Sequence, residues 1–196
     1  MKEKMTSKEI KENKLKRETE IENVGQITLG TSVDITDPCY DKDVWCRKTI
    51  TNAVPGKYLC QVEFKISREG YKWVSKARIV LDDSSKLAKE TQERVLANRS
   101  WINIGYIGVD AGLAGFFADK PDFSDAEWIS LCDWMYPIME DGTKDCSRQV
   151  FLKTLGNGTD GFWTNAGYGD GSYDVYAIRD QYNNKPSVVA LEIRFL

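Results

Sequence analysis

The stretch "VPGKYLCQVEFKI" constrains the fold more than any other in these 196 residues. After the Pro55-Gly56 turn signal, Tyr58, Cys60, Val62, Phe64 and Ile66 fall on one side of a two-residue period, while mostly polar residues fall on the other. An extended strand points alternate side chains to opposite faces, so this pattern predicts a strand with one buried face. The following "KWVSKARIVL" reads as its hairpin partner, joined through a turn at Gly70.

The same reasoning extends along the chain. "QITLGTSVDITDPCY" alternates and then breaks at Asp37-Pro38, as a strand entering a turn does. "WINIGYIGVDAGLAGFFAD" has strand character with a glycine-rich interruption, and "FWTNAGYG", "SYDVYAIRD" and "PSVVALEIRFL" read as closing strands linked by a Gly-Asp-Gly corner and an Asn-Asn turn. Two helices are expected. "SSKLAKETQERVLAN" is rich in helix formers. In "SDAEWISLCDWMY", Ser124 and Glu127 are spaced as a capping box, with Trp128, Leu131, Cys132 and Met135 on one helical face. About ten short strands and two helices predict an α+β fold dominated by antiparallel sheet, sandwich-like or half-barrel-like.

Residues 1–22 hold balanced Lys/Arg and Glu with few large apolar side chains, so residues 1–23 are expected to be a solvated leader, helical or disordered, ahead of a single β-rich domain from 24 to 196. At this length a chain buries roughly two thirds of its unfolded surface without metal or disulfide support. The net charge of -3 and pI near 5.2 argue against duplex nucleic acid as a partner, which requires clustered cations. No apolar run reaches the length of a membrane span, so no membrane partner is expected. The pattern points to the cytoplasm, where the odd set Cys39, Cys46, Cys60, Cys132 and Cys146 would stay reduced.

There is no histidine. That excludes Ser-His-Asp and Cys-His hydrolases and imidazole-ligated zinc. A catalytic metal would need a carboxylate set such as Asp37, Asp110, Asp170 and Asp174, suited to Mg²⁺ or Mn²⁺. Strand ends collect Asp for turn-making as well, and no cofactor is assigned. Pairing Cys39 and Cys46 with Cys132 and Cys146 would offer four thiolates, but the intervals exceed the about two to four residues of zinc knuckles.

The residues singled out as ligand-binding are Asp37, Tyr40, Trp45, Asp110, Gly112, Tyr168, Gly169, Asp170, Gly171, Ser172 and Tyr173. Glycines beside Asp170 free the backbone to form an anion-binding nest, or equally a tight turn that Asp170 caps. Asp110-Ala111-Gly112 is a second Asp and Gly pair at a strand end, and the two ends could face one cleft. Tyr40, Trp45, Tyr168 and Tyr173 would stack a base beside it, or else belong to the core. Trp101, Phe116, Trp128 and Phe162 are assigned to the core.

The order and spacing of Asp37-Pro38, Pro55-Gly56-Lys57-Tyr58, Val109-Asp110-Ala111-Gly112 and Gly167-Tyr168-Gly169-Asp170-Gly171-Ser172-Tyr173 resemble an uncharacterised bacterial and phage family, the domain-of-unknown-function family 4241. The resemblance spans about Gly25 to Leu196. Ala166 departs from it, since the family more often has Ser there, and the exchange removes a candidate hydroxyl nucleophile. No activity follows from the resemblance, but it adds a phage-like setting. The combined expectation is a non-enzymatic binding protein that captures a small anionic or nucleotide-like molecule, for instance a counter-defence protein sequestering an immune signal. Two other classes stay open: a metal-dependent phosphodiester hydrolase, and a protein-binding inhibitor or immunity-type module. Homo-oligomerisation would add pocket walls to a small binder.

Overall fold

The two-residue periods are realised as strands that assemble into two antiparallel sheets. The computed structural model describes residues 19–41, 45–66, 72–120, 122–140, 150–155 and 158–196, with backbone alone for 136–140. The leader up to residue 18, the turn at Gly70 and Cys146 lie outside the described residues.

In the larger sheet, β1 (Thr19–Leu29) pairs with β4 (Gly56–Ile66), and β4 with β5 (Lys72–Leu81). β5 then pairs with β11 (Lys185–Arg194), β11 with β10 (Gly171–Tyr182), and β10 with β6 (Ile102–Val109). The smaller sheet runs in the order β3 (Lys48–Ile50), β2 (Val33–Thr36), β7 (Leu113–Phe117), β9 (Asp160–Asn165), β8 (Val150–Thr154). Neither sheet closes on itself, and the ladders are antiparallel throughout. The fold is therefore α+β and β-rich. Among the described residues, no helix is long and apolar enough to cross a membrane.

Two corrections concern the N-terminal part. The stretch read as one strand from Gln26 to the break at Asp37-Pro38 is two, because the chain leaves the larger sheet after Leu29 and enters the smaller one at Val33. Leu29 and Val33 on either side are buried while Gly30 and Thr31 are exposed, so the break at 30–32 is a short surface crossing from one sheet to the other. β1 also begins at Thr19, inside the expected leader. An edge strand needs only one partner's backbone, and β4 supplies it to Thr19–Asn23 regardless of their polar side chains. Glu20 and Glu22 lie on Lys72, at 2.8 and 3.5 Å.

One large core joins the sheets. Tyr58, Cys60, Val62 and Phe64 of β4 meet Ile79, Leu81, Leu191 and Ile193 there, as the period along 54–66 predicts, together with Phe116 and Phe162 of the smaller sheet. Helix α1 (Lys86–Leu96) packs on β5 and β11. Its N–H of Ala88 is capped by Ser85 Oγ at 3.1 Å, and it buries Ala88, Thr91 and Val95, one turn apart.

The other face of the smaller sheet forms a second core. Along β7, Ala114 and Phe116 join the main cluster while Leu113 and Phe117 join this one, with Phe151, Leu155 and Trp163. Helix α2 (Asp125–Glu140) covers it with Leu131 and Met135, each worth about 1.5–3 kcal/mol of burial. Its start is the expected capping box: Ser124 N–H donates to Glu127 Oε2 at 2.9 Å, and Glu127 N–H to Ser124 Oγ at 3.4 Å. The backbone stays helical through Pro137, a residue that ordinarily ends or kinks a helix, and so runs beyond the stretch read as helical. Of the aromatics assigned to core, Phe116 and Phe162 are fully buried and stacked with centroids 6.2 Å apart, while Trp101 and Trp128 are half-buried against the clusters.

Candidate functional site

β2 ends at Thr36, and the Asp37-Pro38 turn places a carboxylate in the interior. Asp37 is fully buried. Its Oδ1 accepts the N–H of Cys39 at 3.0 Å, and its Oδ2 accepts those of Asp110 and Ala111 at 3.1 and 2.8 Å. Three charge-assisted bonds to backbone amides use both oxygens. Asp37 therefore fastens the turn after β2 to the turn between β6 and β7, which corrects its assignment as a ligand-binding residue. Asp37→Asn must turn its amide toward one set of these donors. It is expected to cost about 1–3 kcal/mol, read as a lower urea midpoint with unchanged slope.

The Val109–Gly112 and Gly167–Tyr173 motifs do come together. Gly171 and Ser172 pair with Val109 and Gly108 in the β10–β6 ladder. Ala166 N–H donates to Gly112 O at 2.9 Å, and a Cβ on Gly112 would stand 3.9 Å from Gly169 Cα. Gly112 takes a φ of +69° and Gly169 one of +96°, the left-handed region that glycine enters without strain. Inside the loop, Gly169 N–H donates to Ala166 O at 2.8 Å. The Tyr173 hydroxyl lies 2.9 Å from Ala166 O and 2.7 Å from Gly169 O, and its ring meets Phe195 edge-on at 5.2 Å.

These contacts decide two readings. Tyr173 is buried and holds the loop from beneath, so it is a core residue and not a pocket wall. Burial pushes its hydroxyl pKa up, and the charge of Asp170 adds to this. The N–H of Gly169 closes the turn and Gly171 belongs to the ladder, so neither is part of a free anion nest. The side chains left in solvent on this corner are Tyr168, Asp170 and Ser172, with Asp110 on the adjoining turn.

The remaining aromatics flank the corner. Tyr168 is 79% exposed, and its ring lies 6.2 Å from that of Trp73, itself 43% exposed, at an interplanar angle of 52°. Sequence reasoning missed Trp73, because nothing local to β5 marks it as a neighbour of the β9–β10 loop. Trp45 is exposed and rests on Gly108, where a Cβ would fall 1.9 Å from the indole, so only glycine accommodates it. Tyr40 donates its hydroxyl to Asp110 Oδ2. That bond, followed by desolvation and the charges of Asp110 and Asp37, pushes the Tyr40 pKa up to about 12.

The carboxylates do not form a metal centre. Among the described residues, no group of three or more Asp, Glu or Cys stands where it could hold a metal ion. Asp37 is committed to amides, and Asp174 lies across the ladder from Tyr106 and Arg194. Cys60 and Cys46 are buried, and Cys39 and Cys132 are half-buried against the second core. Burial, then the charges of Asp37 and Asp110, pushes the Cys46 pKa up to about 11; burial and Asp37 push Cys39 up as well. A thiol so shifted is a poor nucleophile at neutral pH. Cys146 lies outside the described residues, so the four-thiolate set is not assembled among them.

The site is thus an exposed, acidic, aromatic-flanked corner rather than a buried catalytic cleft. No family model, curated protein or solved structure matches this chain.

Proposed function

We propose that this is a non-catalytic binding protein that holds a nucleoside or nucleotide-derived ligand on the corner built by the Gly167–Ser172 loop. The observation that carries the reading is the solvent-exposed Trp73–Tyr168 ring pair beside that loop. Exposed rings lose little on stacking with a base, and base–aromatic stacking is worth about 1–3 kcal/mol per base. Asp170 and Asp110 present carboxylate oxygens that suit ribose hydroxyls or an exocyclic amine as donors. Their charge disfavours a bare phosphate, which narrows the anionic or nucleotide-like class to ligands read through base and sugar. Sequestration of a nucleotide-derived signal fits such a surface, and the phage-like resemblance supplies a counter-defence setting for it. The hydrolase alternative is not favoured, because among the described residues no group of three or more Cys, Asp or Glu stands where it could hold a metal ion.

The test is isothermal titration against nucleosides, mononucleotides and cyclic or linear dinucleotides. At least one base-containing ligand is expected to bind. Tyr168→Ala and Trp73→Ala are each expected to weaken it by about tenfold or more at unchanged melting temperature. Absence of binding across the panel, or equal binding by both variants, would sink the reading.

A further inference from the structure

An antiparallel sheet that does not close leaves strand edges, and an unprotected edge is a template for another strand. Among the described residues the two sheets have four edges, at β1, β6, β3 and β8. Three of them carry charge: β1 has Glu20 and Glu22, β3 has Lys48 and β8 has Lys153. β1 is covered further, since Asp160 Oδ2 accepts the N–H of Thr28 at 2.8 Å.

β6 differs. Its sequence, "INIGYIGV", contains neither a charge nor a proline. Among the described residues β10 is the only strand it pairs with, so alternate N–H and C=O groups face away from the sheet. Trp45 and Lys48 approach it at Gly108 and Gly105 from the direction a Cβ would take, which is off the face of the sheet and not along its edge. Ile102 and Tyr106 are 57% and 66% exposed along it. The ends of this neutral segment carry opposite charges, with Arg99 exposed before it and Asp110 exposed after it.

We infer that the β6 edge is a docking surface for a second copy of this chain, in antiparallel register about a two-fold axis. Charge decides both the partner and the direction. The residues of β6 itself set no like charges against each other across such a ladder, and antiparallel pairing brings the Arg99 end of each copy to the Asp110 end of the other. Parallel pairing would oppose like charges at both ends. The contact is isologous and closes at two copies, because the opposite edge of the sheet is the charged and covered β1. The bulge between Val175 and Tyr176 of the β10–β6 ladder, where Gly105 N–H is taken by Asn103 Oδ1 at 2.8 Å, keeps the new ladder short.

Sedimentation velocity of the full chain tests this without reference to any ligand. The expected result is a reversible species near twice the 22.3 kDa of one chain. Ile102→Lys with Tyr106→Lys is expected to yield monomer with an unchanged far-ultraviolet spectrum. Arg99→Asp is expected to raise the dimer dissociation constant by about tenfold, and adding Asp110→Arg to it should restore association. The charge exchange decides the matter should the lysine variant fail to fold. A wild-type protein that stays monomeric at all micromolar concentrations, or a dimer indifferent to these substitutions, would overturn the inference.

Discussion

Trp163→Ala is expected to lower the stability of the protein by about 3–5 kcal/mol, a fall in melting temperature on the order of 10 °C for a chain of this size. The indole is fully buried at the centre of the second core. Phe117 and Phe151 stack on it with centroids at 5.5 Å each, and Trp134 of α2 meets it at 6.0 Å. The space around it cannot be refilled. A Cβ on Gly115 would lie 2.3 Å from Trp163 Cβ, and one on Gly161 would lie 2.7 Å from the Phe117 ring. These glycines bring backbone against aromatic surface, so removing the indole leaves a cavity lined by rings that have nowhere to move. Trp163→Phe should lose clearly less, since it keeps a ring between Phe117 and Phe151. Urea denaturation of both variants checks the ordering, and equal losses would show that stacking is not what matters there.

The second large effect lies on the outer surface of the larger sheet. Glu192→Ala is expected to cost about 3–5 kcal/mol, the usual loss when one partner of a buried ion pair is removed. Glu192 has no exposed surface, yet its Oε2 accepts Arg78 Nε and Nη2 at 2.9 and 2.6 Å and its Oε1 accepts Arg194 Nε at 2.6 Å. Without it the buried Arg78 retains, among the described residues, the Glu63 carboxylate at 3.5 Å. The loss measures the stranded guanidinium more than the worth of the pair. The double variant Arg78→Met with Glu192→Leu should therefore recover most of it, and failure to recover would mean that the ion pair itself is the stabilising element.

Glu63 belongs to the same network and makes it sensitive to acid. Burial opposes its ionisation, but hydrogen bonds from Lys76 and Ser75 and the charges of Lys76 and Arg78 outweigh that and hold its pKa below the ordinary value. Its contribution is complete above the unfolded-state pKa of about 4.3 and is lost as the pH falls through the lower, folded-state value.

Much of this fold is legible in the sequence where the signal is local. The period along 54–66, the strand from 72 to 81 and the Ser124–Glu127 box each depend on residues within a few positions of one another. What stayed hidden depends on partners far along the chain. An Asp before a Pro at a strand end looks the same whether it binds a ligand or caps a turn, and the amides that settle the role of Asp37 belong to residues 110 and 111. Trp73 becomes a site residue only through Tyr168, and Thr19–Asn23 become strand only through β4. The glycine corner is an intermediate case. Its meeting with the Val109–Gly112 turn is foreseeable from two matching strand ends, but the burial of Tyr173 beneath it is not, because a tyrosine in a glycine loop carries no mark of which way its ring turns.

The position of β11 bears on how the protein is made. It is the last of the described strands to be synthesised, yet it lies in the interior of the larger sheet between β5 and β10. Until Lys185–Arg194 leave the ribosome, the β1–β4–β5 strands and the β10–β6 pair are separate pieces, each with a strand open along one side. The nascent chain must therefore keep the β5 edge unpaired from residue 81 until β11 emerges, more than 100 residues later. A ribosome stalled after β10 would display every strand of the smaller sheet but neither the β10–β11 hairpin nor the strand that joins the two parts of the larger one, and transiently unpaired edges of that kind are prone to aggregate.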